Sequence, residues 1–553
     1  MLIKTRIAEL IKNAVEEAQQ KGKIGNAPIP EIIIERPQNI NHGDYASSIA
    51  LKMARAIKMN PMQIANEIAA YIPGGEEFKI VNVSAPGFIN FKLSEGWLAG
   101  QVQEIFDIKD KWGNLDTGKG QSIQVEFVSV NPTGPLHVGH GRGAVLGSTL
   151  SNVLRAAGYN VQTEYYINDA GNQLETFKRS LFARYMQLEG VDIPVPEGGY
   201  VGSYMIDAAE EIRQNNGKEL KGLHNDELLQ ALGKIGLELM LKKISEELTV
   251  LGITFDNWFS ERSLKQSGTY DKVMKYLKDN NYVVDKEKAL WFASTSLGED
   301  KDNVLIRSDG TPTYFAFDIA YHYNKFIERK FKKVIDIWGA DHQGHVSRMK
   351  AAISAFGVNP DDLTIIICQI VTLKRGEEIV RASKRAGNII TLKEVMDEVG
   401  PDACLFVFLS RSADSQMDFE LELAKKQSSD NPVYYVQYAH ARICSILKLA
   451  QEKGIDYDSG DVSLLKTEPE LALIRQMITL PEILDLASSN LEPHHLPFYS
   501  LDLATSFHGF YKDCRVVSED KELTMARLKL VKAAQIVLAR TLSLMGMTAP
   551  ESM

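Results

Sequence analysis

Cysteine is scarce in this chain: four residues, Cys368, Cys404, Cys444 and Cys514, are scattered through 553. No two share a C-x-x-C spacing, which argues against a structural zinc site and a disulfide framework, and suits a reducing cytoplasm. Long apolar runs are missing as well. No stretch approaches the roughly 20 residues of a membrane span. The start, Met1–Arg6, alternates charge into an amphipathic helix and lacks the apolar core of a secretory signal. Positive charge is not in excess either: the net charge of −10 gives no global sign of a nucleic-acid partner. Residues 1–60 run the other way, with nine Lys/Arg against six Asp/Glu. That permits a phosphate-facing surface there, although solvated helix faces are the commoner meaning of such a balance. Repeats and low-complexity tracts are absent. The length exceeds what one core supports and implies about two to four domains.

The patterns that remain fall into three regions. Residues 1–115 read as α+β: Ile32–Ile34, Ile80–Val83 and Gly87–Phe91 are strand-like, while Asp44–Ala56 and Pro61–Ile72 have helical period. A turn-rich stretch, Trp112 to Gly120, closes this region. Over 116–418 strands alternate with helices, the signature of a parallel α/β sheet. Its best strands are Val125–Val130, Val161–Tyr166, Val334–Trp338 and Thr364–Val371, with a largely helical insertion at about 178–300. Over 419–553 the pattern is helical throughout, at Pro432–Lys453, Glu468–Ser489, Tyr499–Val517 and Met525–Met545, which predicts a terminal helix bundle. The predicted fold is thus α/β with a Rossmann-like sheet, flanked by an α+β domain and an all-α bundle.

The most informative segment follows the strand at Val125. It reads Asn131-Pro132-Thr133-Gly134-Pro135-Leu136-His137-Val138-Gly139-His140-Gly141-Arg142-Gly143 and opens a helix. Strand, glycine-rich loop and helix N-terminus together form a site for a polyanion. No Gly-Lys-Ser/Thr follows, so it is not a P-loop, and the glycine register is wrong for a dinucleotide fold. Two histidines three apart could bind metal, but no nearby Cys, Asp or Glu completes a ligand set. Core histidines would be odd among Gly139, Gly141 and Gly143, which offer close approach to a ligand. The reading that fits is contact with nucleotide phosphates, stabilising charge as pyrophosphate leaves. About 240 residues on, Val380-Arg381-Ala382-Ser383-Lys384-Arg385-Ala386-Gly387-Asn388 is a basic loop able to close over a triphosphate. Alone it is a solvated turn; paired with the histidine loop it gains meaning.

These two loops resemble the H-I-G-H and K-M-S-K-S signatures of class I aminoacyl-tRNA synthetases. Over essentially its whole length the chain is similar to bacterial arginyl-tRNA synthetases. The resemblance rests also on Tyr166-Ile167-Asn168-Asp169-Ala170-Gly171-Asn172-Gln173, Tyr200-x-Gly202-x-Tyr204, Trp338-Gly339-Ala340-Asp341-His342 and Asn431–Arg442. It implies ATP-dependent activation of L-arginine with Mg²⁺, transfer to tRNA(Arg), activation that requires bound tRNA, and a monomer. By the same resemblance His137, His140 and Lys384 are catalytic. Pro132, Thr133, Gly134, Pro135, Gly139, Gly141, Asp341, His342, Arg381 and Ser383 bind ATP. Glu126 and Asn131 hold the amino-acid end of arginine, Tyr314 and Asp318 read its guanidinium, and Gln343 lines the same site. A flat fork of five donors needs carboxylates and amide oxygens around it. The terminal bundle is the anticodon-binding domain, with Tyr438, Arg442 and Arg515 as tRNA contacts; Tyr434, Tyr435 and Tyr438 also suit a core stripe. The N-terminal domain meets the tRNA elbow through Asn41 and Tyr45.

One departure stands out: Arg381-Ala382 replaces the family's Lys-Met, and Arg is not Lys in geometry. Three rivals share some of these features. Another class I synthetase has both loops but no need of a carboxylate pocket. A small nucleotidylyltransferase has no use for the bundle. A non-catalytic tRNA-binding paralogue would lack one of the signatures.

Overall fold

The computed structural model describes residues 2–380 and 390–553. The second signature loop, with Arg381, Ser383 and Lys384, lies outside them. At the centre is a five-stranded sheet of β1 (Ser122–Glu126), β2 (Asn160–Ile167), β3 (Asn257–Ser260), β4 (Lys333–Gly339) and β5 (Leu363–Cys368). Every pairing is parallel and the order is β5-β4-β1-β2-β3. The order reverses between β1 and β4, so a crevice opens there beyond the strand C-termini, where ligands bind in such sheets.

Three expected elements are redrawn around this sheet. β1 ends at Glu126, short of the expected Val130, because Val128 and Ser129 take φ of +66° and +42°. A β-branched residue at positive φ is strained, and the strain turns the chain out into the histidine loop. The stretch 178–300 is not one insertion, since β3 lies inside it and pairs with β2 at the sheet edge. Four half-buried residues are too short for a two-residue period to register. Before β3, helices Asn172–Leu188, Ser203–Leu220 and Asn225–Val250 pack a core of their own around Phe177, Leu181, Met205 and Leu232. After β3 comes a small antiparallel sheet of Val283–Lys286, Ala289–Phe292 and Asn303–Ile306, then helix Tyr314–Tyr323.

Thr364–Val371 also divides, since β5 ends at Cys368 and Val371–Arg375 begins a separate sheet with Glu378–Ile379 and Met417–Glu420. Glu468–Ser489 breaks into helices Glu468–Met477 and Leu480–Asn490, with Pro481 in the first turn of the second. Among the described residues no helix is long and apolar enough to cross a membrane.

In the N-terminal domain the expected helix over 44–56 is split. Tyr45–Ser47 is a fully buried strand paired with Phe88–Leu93, and the helix runs Ile49–Ile57. Sheet pairing overrides the helical period here. Asp44 accepts from the Leu93 N–H at 2.7 Å and from Arg475 of the terminal bundle at 2.7 Å. Tyr45 has no exposed surface; its hydroxyl donates to Glu482, which also takes two hydrogen bonds from Arg36 at 2.9 and 3.1 Å. The expectation that Tyr45 meets tRNA is therefore corrected: it joins the N-terminal domain to the bundle. Tyr45→Phe is expected to cost about 1.5–3 kcal/mol, the worth of a hydrogen bond to a charged group, read as a lower thermal midpoint.

Candidate active site

Two joined cavities fill the crevice beyond β1 and β4. The narrower, about 330 Å³, is lined by Glu126, Asn131, Tyr166, Glu261, Tyr314 and Asp318 among others. The wider, about 650 Å³, is lined by Thr133, Gly134, Pro135, His137, Gly139, His140 and Asp341 among others. Val128, Ser129, Asn131, Gly339 and His342 face both. Most of the residues expected to bind arginine and ATP thus gather in two adjoining chambers.

Three do not. Gln343 is exposed and lines neither chamber. Pro132 is buried off the cavity wall. Gly141 is buried too, and a Cβ there would lie 2.6 Å from Leu392 and 2.9 Å from Phe408. Its missing side chain lets the helix dock on protein, not on a nucleotide, and that corrects the expected role. Gly147 does the same over Phe127, where a Cβ would come within 2.2 Å.

The histidine loop is built by reciprocal capping. His137 is the N-cap of helix Val138–Ala156, and its Nδ1 accepts from the Gly139 N–H at 3.1 Å. The Nδ1 of His140 accepts from the His137 N–H at 3.3 Å. In each ring Nδ1 is an acceptor, so the remaining proton sits on Nε2. The rings stack with centroids 3.4 Å apart. Burial lowers both pKa values, and with His137 beside it His140 falls to about 3. Both imidazoles are therefore neutral donors at neutral pH.

Neighbouring segments hold the loop from two sides. His137 bridges Thr391, and Leu392 N–H donates to Leu136 O at 2.8 Å, tying it to the chain just past residue 389. Tyr204, from the helices inserted after β2, donates its hydroxyl to Thr133 O at 3.1 Å. Arg142, 1 % exposed, donates to the carbonyls of Gln369, Ser412 and Ser415 at 2.7–2.9 Å and anchors the helix to the strand beyond β5.

The narrower chamber is a nest of carboxyl groups. Asp318 is pushed up to about 7, mainly by burial, against the pull of His322. Glu261, absent from the sequence reading, is raised by burial and accepts from Tyr166 Oη at 2.8 Å. Burial also pushes Glu126 up, while Lys325 at 2.6 Å pulls it back. Three carboxyls that burial disfavours as anions, in one cavity, fit a cationic ligand that repairs the cost.

On the terminal bundle, Tyr434 and Tyr438 stack at 6.1 Å, and the Arg442 guanidinium lies over Tyr438 at 4.7 Å and Tyr511 at 5.1 Å. These aromatics are half-buried or exposed, whereas His440 of the same helix is buried with Nδ1 on Pro550 O. Asn41 and Arg515 are exposed.

Comparison with known proteins finds three families along the chain. Residues 101–442 match the family described as tRNA synthetases class I (R), catalytic domain. Residues 5–93 match the arginyl tRNA synthetase N terminal domain, and 436–553 the DALR anticodon binding domain. The arginine–tRNA ligase of Dehalococcoides mccartyi strain BAV1 is 58% identical over 553 residues, covering 100% of this chain and 99% of its own. That of Heliobacterium modesticaldum is 48% identical over 558 positions, again 100% and 99%. The solved Thermus thermophilus arginyl-tRNA synthetase superposes over 100% of both chains with a TM-score of 0.79, a likeness of fold at 23% identity.

Proposed function

Because this chain belongs to the arginyl-tRNA synthetase family, and so is an arginine–tRNA ligase that consumes ATP, we propose that the narrower chamber receives arginine and the wider one ATP. The observation that carries this is the trio Glu126, Glu261 and Asp318 in one cavity that opens onto the histidine loop. Asp318 and Glu261, with Tyr314, take the guanidinium; Glu126 and Asn131 take the amino-acid end. The arginine carboxylate then attacks the α-phosphorus, the bond to the bridging oxygen breaks and pyrophosphate leaves. The terminal ribose hydroxyl of tRNA next attacks the adenylate carbonyl, the bond from that carbon to the phosphate oxygen breaks, and AMP departs with the hydroxyl proton passing to its phosphate. The carboxylate needs no base, so the residues work by position and charge. His137 and His140 donate Nε2–H to phosphate oxygens, joined in that work by Lys384, and Arg381 and Ser383 are further ATP contacts. Mg²⁺ favours phosphate oxygens and water over an all-protein cage, so ATP itself would bring it and it would neutralise charge on the polyphosphate.

The bundle face of Tyr438 and Arg442 suits splayed anticodon bases, and Asn41 and Arg515 are the outlying tRNA contacts. The units 1–115, 116–418 and 419–553 act within one monomer in the cytoplasm. Activation depends on tRNA, a reading supported by the histidine loop being laced to residues 390–392 and to the inserted helices, either of which a bound tRNA could shift. ATP–pyrophosphate exchange is therefore expected with arginine alone of the twenty amino acids, and only when tRNA is present. Exchange with arginine at the same rate in the absence of tRNA would overturn the dependence, and exchange with another amino acid would overturn the pocket.

A further inference from the structure

Four ionisable side chains, Glu126 and His322 on the wall of the narrower chamber and Lys325 and Asp336 behind them, are not used to the full by arginine binding as described. The helix Tyr314–Tyr323 carries Tyr314, Asp318, Tyr321 and His322 along one stripe, and the π-helical turn Asn324–Glu328 continues it with Lys325. Spacings of three, four and seven keep this stripe on one face. Lys325, wholly buried, donates to Glu126 Oε2 of β1 at 2.6 Å and to Asp336 Oδ1 of β4 at 2.8 Å. Burial works against its charge, but Asp336 and Glu126 more than offset it, so its pKa is raised. Its ammonium also lies 4.1 Å from the Tyr321 ring centre. Asp336 Oδ2 contacts His322 Nε2 at 2.8 Å, and His322 Nδ1 contacts the backbone oxygen of Asp318 at 2.8 Å.

The last two contacts decide a protonation state. A carbonyl oxygen accepts only, and so does an ionised carboxylate. Both ring nitrogens of His322 face such acceptors, so both must donate. Asp336 is held below the usual carboxylate range by Lys325 and His322 in spite of its burial, which leaves it ionised. The charged groups acting on Asp318 beside His322 are Glu126 on β1, Glu261 after β3 and Arg348 on helix Val346–Ser354, while Glu164 reaches the helix at Tyr321, Lys265 at Phe317 and Lys272 at Tyr323. Two carboxylates, Glu126 and Asp336, then face two cations, Lys325 and His322, and the quartet is neutral. Among the described residues the other oxygen of Glu126, Oε1, has no protein hydrogen-bond partner.

We propose that His322, as an imidazolium, and Lys325 are positioning residues for arginine: they neutralise the buried pair Glu126–Asp336, lock Glu126 Oε2, leave Oε1 for the amino acid, and hold the turn that carries Asp318. A chamber where the charges of this quartet already cancel spends the charge of Asp318 and Glu261 on the ligand alone. The role deepens the arginine-pocket reading and rests on it. Without the quartet, Glu126 would be a buried unpaired anion, free to turn toward any nearby donor.

The test has two parts on the full-length enzyme. In ¹⁵N spectra of histidine-labelled protein at the assay pH, one histidine is expected to show both ring nitrogens protonated, and His322→Gln is expected to remove that signal. In aminoacylation, His322→Gln is expected to raise the KM for arginine about tenfold while that for ATP moves by less than about twofold. A spectrum in which every histidine has an unprotonated ring nitrogen overturns the proposal, whether or not the variant folds. Equal rises in both KM values, or a fall in kcat alone, overturn the positioning role. The arginine-pocket reading fails separately, if Asp318→Ala leaves the KM for arginine unchanged, and that result would leave the spectrum as it is.

Discussion

Asp318→Ala is expected to lower kcat/KM for arginine by about three orders of magnitude, through KM more than kcat, with little change in the KM for ATP. Removing one partner of a buried charge pair costs about 2–5 kcal/mol, and about 4 kcal/mol corresponds to that factor. Steady-state aminoacylation with arginine and ATP varied in turn separates the two constants. The carboxyl also sets a pH dependence. In the open pocket its pKa is about 7, so below that pH a proton must leave before the guanidinium can pair. The KM for arginine should fall about tenfold per unit as pH rises toward 7 and level off above it.

The same shift fixes a stability effect of opposite sign. Folded Asp318 holds its proton more tightly than the unfolded chain, where the value is near 3.8, so this group's contribution falls as pH rises from about 4 to 7. Above pH 7 the folded enzyme carries the full penalty of a buried carboxylate. Asp318→Asn removes it, and the unliganded variant should be more stable than the parent by up to about 4 kcal/mol at pH 8 while losing activity. A thermal midpoint unchanged or lowered at pH 8 would show that the carboxylate is already satisfied without arginine.

The sequence shows the long periodic elements and the short glycine-rich ones, but little that lies between. Helix Pro432–Glu452 ends one residue before its expected limit, because a 21-residue amphipathic run leaves little choice. β3 escapes notice because four residues at a sheet edge carry no period. Glu261 escapes for a different reason: it meets Tyr166 across 95 residues of chain, and no local pattern records such a distance. His322 and Lys325 did leave a trace, as polar residues at helical spacing in a segment rich in apolar residues. Tyr45 and Gly141 were legible as important and misjudged in kind. An aromatic in a loop-like motif reads the same whether it meets RNA or a neighbouring domain, and a glycine reads the same whether a phosphate or Phe408 needs the space.

The histidine pair gives the other large effect, and its chemistry follows from which nitrogen is free. His140→Ala is expected to lower kcat for adenylate formation by about 10²–10³ with a small change in the KM for ATP, the usual result of deleting one preorganised donor to developing charge. The Nδ1 atoms are occupied by backbone N–H groups at 3.1 and 3.3 Å, so only Nε2–H can point at phosphate. Two rings stacked at 3.4 Å would repel as cations, and burial with that repulsion keeps His140 neutral down to about pH 3. Protonation of His140 therefore cannot shape the rate between pH 5 and 8. If the imidazoles acted as cations, kcat would fall as pH rises through about 6.5, the ordinary histidine value. The expected profile has no such fall. An amide can replace one Nε2–H donor without carrying charge, so His140→Asn should recover part of the loss at every pH in that range. Recovery by a cation such as His140→Lys, with no recovery by Asn, would instead assign the pair a charge-neutralising role and move the donor function elsewhere in the loop.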